Sequence, residues 1–206
     1  MRTAKHLNFY GRRRGKKLSK LQNHYIKNFL PDISLKGVSY DENPNRHKVT
    51  AKKIFNENCP IWLEIGFGGG EHLLSIAKKN RNIGIIGCEP YLNGVAMFLP
   101  RLAEENLSKV KVFMDDARVL LEVLPDLSIS KLFLLFPDPW PKTRHKQRRF
   151  INAENLKVFE RILKIDALIY IATDVNSYVK HVLEIFNHHS GFHWVADSAD
   201  DWRNPW

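Results

Sequence analysis

From Ile61 onward, short continuous apolar runs alternate with segments whose apolar positions recur at helical spacing. The runs at 61–65, 83–88, 110–114, 131–136 and 167–173 lack polar alternation, as strands buried on both faces of a parallel sheet must. Between them, 71–79, 91–105, 118–124, 152–164 and the stretch from Asp174 to about Asn187 read as helices. The inward faces are Leu73, Leu74, Ile76 and Ala77 in 71–79 and Leu156, Phe159 and Leu163 in 152–164; Pro100 predicts a kink, and Asp174 stands where it can cap the last helix. Phe192 to Ala196 reads as a sixth strand. Five βα units in order predict an α/β, doubly wound, mostly parallel sheet with right-handed crossovers. Ahead of these units, Leu18, Leu21, Tyr25 and Phe29 mark a helix closed by Pro31, and 48–57 a short helix. Residues 1 to about 20 have no apolar period and are expected to be mobile until a partner binds.

Charge divides the chain unevenly. Of the net +10, the segment Met1–Pro31 holds nine Lys/Arg and no acid, leaving +1 for the rest. This predicts a basic arm and helix, 1–31, attached to a single α/β domain, 32–206. A footprint of that kind favours nucleic acid as the partner, since Arg12, Arg13, Arg14, Lys16 and Lys17 are not interleaved with a bulky apolar face that would suit a membrane. No apolar run approaches the roughly 18 residues of a membrane span, the first residues show no apolar h-region, and Cys59 and Cys88 lie far apart with no CxxC spacing. The expectation is a cytoplasmic protein with no obligatory protein partner. His188, His189 and His193 lack a Cys or carboxylate at ligand spacing, so no metal is expected.

The stretch Phe136–Phe150, FPDPWPKTRHKQRRF, follows the apolar run 131–136 directly. Its prolines stop the strand and stiffen the loop, so Asp138 stands beyond the carboxyl end of a strand, where open α/β sheets bind ligands. Lys142, Arg144, His145, Lys146, Arg148 and Arg149 follow with no acid before Glu154. A carboxylate joined to a dense basic run suggests an active-site loop fused to a nucleic-acid clamp. Trp140 either shapes a base pocket or wedges the loop against the sheet. Trp194, Trp202 and Trp206 are read as core or rim packing.

Gly66, Gly68, Gly69 and Gly70 form the first strand-to-helix turn. The dinucleotide pattern G-x-G-x-x-G would need glycine at Glu71 or Leu73, a phosphate loop would need Gly-Lys, and Glu71 at the helix start would repel a pyrophosphate. A nucleoside with a cationic head fits better. Glu64 suits an ammonium or sulfonium, Glu89 occupies the place from which an acid accepts ribose hydroxyls, and Asp116 can accept from an exocyclic amine. With Asp138, acids stand at the ends of four strands, pointing to S-adenosylmethionine as the cofactor.

The stretches Leu63–Gly70, Gly87-Cys88-Glu89, Asp116-Ala117, Phe136–Arg149 and Ala172-Thr173-Asp174 together resemble the bacterial tRNA (guanine-N7-)-methyltransferases. The resemblance implies a Rossmann-like class I methyltransferase fold and methyl transfer to guanine N7 at position 46 in the tRNA variable loop. It further implies that Glu64, Glu89 and Asp116 contact the cofactor, with Gly66 and Gly68 in its turn. Asp138 would lie at the catalytic centre, Lys142 and Asp174 would contact the substrate, and Arg144 to Arg149 would lie along the RNA. In that family a Thr-Arg-aromatic-Glu motif and a last strand follow the segment matching Trp202-Arg203-Asn204. Here the sequence ends at Trp206, so the expectation is a sheet lacking its last strand, with 192–196 left without a neighbour. Two other readings also fit the residues: a protein that binds S-adenosylmethionine and RNA without catalysis, and a small-molecule enzyme of the same fold.

Overall fold

The apolar runs form five strands, β1 (Ile61–Ile65), β2 (Gly84–Cys88), β3 (Val110–Phe113), β4 (Ile129–Leu135) and β5 (Leu163–Ala172). The computed structural model describes residues 8–198, 200 and 201. All four pairings are parallel and the order is β3-β2-β1-β4-β5. The direction of winding reverses between β1 and β4, which opens a crevice at their carboxyl ends. Helices α1 (Lys20–Asn28), α2 (Leu30–Ile33), α3 (Ala51–Phe55), α4 (Glu71–Lys79), α5 (Leu92–Glu104), α6 (Ala117–Val123), α7 (Ala153–Ile162) and α8 (Asn176–Asn187) cover it. This is the Rossmann-like, doubly wound α/β arrangement.

Because the central strands are apolar on both sides, the sheet carries two cores. One is built around Leu63, Ile86, Leu120, Leu132, Phe159 and Tyr178; the other around Phe67, Leu73, Ile85, Phe98, Leu99 and Val112. Leu30 and Ile33 belong to the second core, with Tyr25, Ile26 and Phe29 packed against it. The N-terminal helix is thus fastened to the sheet. Ser19 starts it with a reciprocal capping box with Gln22.

The structure corrects several expectations. Pro31 does not close a helix; it sits in the first turn of α2, where its missing N–H is not needed. β5 begins at Leu163, directly after α7, and its pairing skips from Leu163 opposite Ile129 to Leu168 opposite Lys131. Residues 164–167 therefore bulge out of register. No strand forms at 192–196. Phe192 packs on Phe186 and His189, while Trp194 and Val195 are exposed. An extended segment without a ladder partner has nothing to hold it as a strand, and the outer edge of β5 takes none among the described residues. The start of the arm at 1–7 and Trp202, Arg203, Asn204 and Trp206 lie outside the described residues.

Candidate active site

At the end of β1 the Gly66 N–H donates to the Cys88 carbonyl at 2.8 Å, so the first turn leaves the sheet beside the end of β2. Gly66 and Gly68 have φ of +76° and +56°, and the space into which a side chain would project is open at both. That combination makes a backbone cradle no other residue type forms without strain. The Gly68 N–H donates to Glu89 Oε2 at 2.7 Å, and the Tyr91 N–H donates to Oε1 at 2.8 Å. Glu89 is only 7% exposed, and burial raises its pKa above the ordinary carboxylate value; the two N–H donors oppose the rise and the nearby charge of Asp138 adds to it.

Glu64 and Asp116 stand at their expected strand ends but are engaged by neighbours. Glu64 is buried and paired with His72 Nδ1 on α4 at 2.8 Å. Asp116 caps α6 by accepting from the Arg118 N–H at 3.0 Å, and its carboxylate also takes the Arg118 guanidinium, Nη2 to Oδ2, at 2.5 Å. Both carboxylates are engaged by a neighbouring side chain. Glu71 likewise pairs with Arg101 at 3.0 Å, and Arg101 also donates to the Gly69 carbonyl, tying the turn to α5.

The loop after β4 continues the ladder for one residue, with the Phe136 N–H donating to the Ala172 carbonyl at 2.8 Å. Phe136 and Trp140 then adopt φ of +49° and +41°, strained for aromatic residues, and Phe136 is 68% exposed. Such strain persists only where surrounding contacts hold it. Arg149 supplies one of them: 2% exposed, it donates from Nε to the Pro139 carbonyl at 2.8 Å and lies over the Tyr178 ring. Asp138, between the two strained residues, is exposed and makes no hydrogen bond among the described residues.

Within the basic run, Lys142, Arg144 and Lys146 are exposed on a 3-10 helix, Thr143–Arg148, and its approach. His145 is held below the ordinary imidazole pKa by partial desolvation and by the charges of Arg148, Arg144 and Lys142. Arg149 departs from the expectation of a side chain along the RNA, because it points inward. Asp174 is exposed beyond the end of β5, but α8 is not capped by it; Val175 is the N-cap, and its N–H donates to Thr173 Oγ1 at 3.2 Å.

The arm gave no sequence signal for its course. Residues 8–16 run along the starts of α5 and α6. The Asn8 carbonyl accepts from Arg118 Nη2 at 2.9 Å, Arg13 Nη1 donates to Asp115 at 2.7 Å, and the Arg13 carbonyl accepts from the Leu92 N–H at 2.9 Å. Asn93 then clasps the arm from both sides, accepting from the Gly15 N–H and donating to the Lys16 carbonyl, each at 2.7 Å. Most of these partners are backbone atoms, which carry no residue signature. From residue 8 the arm runs beside Leu92, Asn93, Asp115, Arg118 and Trp140.

Residues 58–205 match the family model described as putative methyltransferase. The chain is 47% identical over 204 residues to the tRNA (guanine-N(7)-)-methyltransferase of Roseobacter denitrificans, covering 99% of this chain and 87% of that one. It is 47% identical over 199 residues to the protein of that name in a Ruegeria species, covering 97% and 77%. Among solved structures it is similar to the 16S rRNA methyltransferase KamB, at 17% identity and a TM-score of 0.48, over 77% of this chain and 73% of that chain. With 47% identity over nearly the whole of this chain and more than three quarters of each relative, the chain belongs to the tRNA (guanine-N(7)-)-methyltransferase family.

Proposed function

We propose that this chain methylates guanine N7 at position 46 in the variable loop of tRNA, with S-adenosylmethionine as donor, in the cytoplasm. The observation that carries the reading is the exposed Asp138, without a hydrogen bond among the described residues, on the loop beyond the carboxyl end of β4, beside β1, a loop that continues into exposed Lys142, Arg144 and Lys146. The open cradle at Gly66 and Gly68 and the buried carboxylate of Glu89 fit a nucleoside that brings close backbone contact and hydroxyl donors. Glu64 and Asp116 support that pocket through His72 and Arg118. When bound, S-adenosylmethionine supplies an electrophilic methyl group on a cationic sulfur.

What the chain's own residues do follows from the substrate. Guanine N7 carries no proton, so no general base is required. Positioning and electrostatics remain, and Asp138 holds the amino and imino edge of the guanine and favours the positive charge that develops on the ring. Lys142 and Asp174 contact the substrate, Arg144, His145, Lys146 and Arg148 follow the RNA, and Arg149 holds the loop. The basic segment 1–31 serves the domain 32–206 as an arm. No described helix is long and apolar enough to cross a membrane. The test is incubation with S-adenosylmethionine and two unmodified tRNAs, one with guanine and one with adenine at position 46. Formation of 7-methylguanosine in the first alone supports the reading; equal product in both refutes the position, and none in either refutes the activity.

A further inference from the structure

Tyr10 of the arm and Trp140 of the Asp138 loop meet edge to face, with centroids 6.3 Å apart and an interplanar angle of 74°. The guanidinium of Arg148 lies against both rings, 4.3 Å from the Tyr10 centroid and 5.1 Å from the Trp140 centroid. Its Nε is buried and has no hydrogen-bond partner among the described residues, and no ion pair to a described acid is formed. The cation is therefore held mainly by π faces. His145 meets Trp140 edge-on at 5.8 Å. The corner is built at the cost of the left-handed backbone of Trp140.

We propose that Tyr10 and Trp140 form the receiving surface for the target guanine, and that Arg148 occupies it in the free protein as an internal stand-in for the methylated base. The proposal rests on the methyl-transfer reading above. A guanidinium and a 7-methylguanine ring share one description: flat, delocalised and cationic. The neutral guanine stacks on the corner. As the N7 lone pair forms the new bond to carbon, and the electrons of the broken sulfur–carbon bond stay on sulfur, the purine becomes the cation. The π faces then attract it more strongly than they did the ground state, and an interaction that grows toward the transition state raises kcat rather than lowering KM. Arg148 leaves the corner when RNA arrives, exchanging π contacts for a charge-assisted bond to phosphate. RNA binding and exposure of the base site become one event. The alternative is that the three residues merely pin the arm to the loop.

The experiment uses the full chain, S-adenosylmethionine and unmodified tRNA, with Tyr10→Leu, Tyr10→Phe, Trp140→Leu and Trp140→Phe variants. It also compares binding of a variable-loop RNA carrying guanine with the same RNA carrying 7-methylguanine. The wild type is expected to bind the methylated RNA about tenfold more tightly, and the leucine variants to lose that preference together with about tenfold in kcat at little changed KM. The phenylalanine variants keep most of both. Tyr10 is 44% exposed on the arm, so Tyr10→Leu decides the matter even if Trp140→Leu does not fold. A wild type that methylates tRNA but shows no preference, or leucine variants that lose only KM, overturn the corner. A wild type forming no 7-methylguanosine overturns the function beneath it.

Discussion

Arg149 donates from Nε to the Pro139 carbonyl at 2.8 Å while its guanidinium lies against the Tyr178 ring at 5.5 Å. Its Nη2 is buried without a hydrogen-bond partner among the described residues. A buried cation at one end of a basic run thus sets the backbone of the residue after Asp138. Arg149→Met is expected to lower stability by about 2–4 kcal/mol and to reduce turnover, while the salt dependence of tRNA binding stays as in the wild type. Denaturant unfolding and binding at several salt concentrations check both halves. A salt slope that falls with the substitution would place Arg149 on the RNA instead.

The exposed cations should behave in the opposite way. Removing Lys142, Arg144 or Lys146 one at a time leaves stability within about 0.5 kcal/mol, since each is a solvated side chain. Each that meets a phosphate should weaken tRNA binding and reduce the slope of log K against log salt by roughly 0.7–0.9. Affinity for S-adenosylmethionine should not change. A salt response that is flat in the wild type would contradict an RNA clamp altogether.

Glu89 gives a prediction with two signs. Its folded-state pKa is raised, first by burial, so its contribution to stability is present at low pH and lost as pH rises through the raised value. Ionising this buried carboxyl costs folding stability. Glu89→Gln is therefore expected to leave the melting temperature unchanged or higher while weakening S-adenosylmethionine binding tenfold or more, the scale of about 1.4 kcal/mol for a lost charged hydrogen bond. Calorimetry of folding and of cofactor binding separates the two effects. A drop in both would mean that the Gly68 and Tyr91 hydrogen bonds dominate.

Burial pushes the Tyr178 phenol up to about 12, with the Ile151 N–H and the Arg149 charge opposing. In the unfolded chain the phenol ionises near pH 10, so stability from the buried neutral form is intact below that and is lost as pH rises from there to about 12. The loss is on the order of 2–3 kcal/mol. Denaturant midpoints at pH 9 and 11.5 should fall steeply for the wild type and less for Tyr178→Phe. Parallel declines would assign the alkaline loss to other groups.

How much of this was legible in the sequence depends on what kind of atom makes each contact. The strand ends bearing Glu64, Glu89, Asp116 and Asp138 could be read because buried parallel strands are continuous apolar runs and the next polar residue marks where the sheet stops. The state of those carboxylates could not. His72 and Arg118 capture two of them only because helices α4 and α6 turn their first residues back toward the crevice. In the basic run, residue type alone does not separate Arg149 from Arg144; the distinction lies in which way a short 3-10 helix faces the sheet. The arm's path rests on the carbonyls of Asn8, Arg13 and Lys16, groups that every residue possesses. The apolar segment 192–196 carried a strand's composition, but ladder partners are not written in the segment itself.

The most direct test concerns Asp138, the exposed carboxylate between Phe136 and Trp140. Single-turnover methyl transfer to tRNA should be measured for the wild type and Asp138→Asn, alongside tRNA and S-adenosylmethionine affinity for both. Electrostatic stabilisation of the developing charge predicts a rate loss of about a hundredfold or more, with affinity for tRNA within about twofold. A rate close to wild type, or a rate loss matched by an equal loss of tRNA affinity, would contradict the placement of the catalytic centre at this loop.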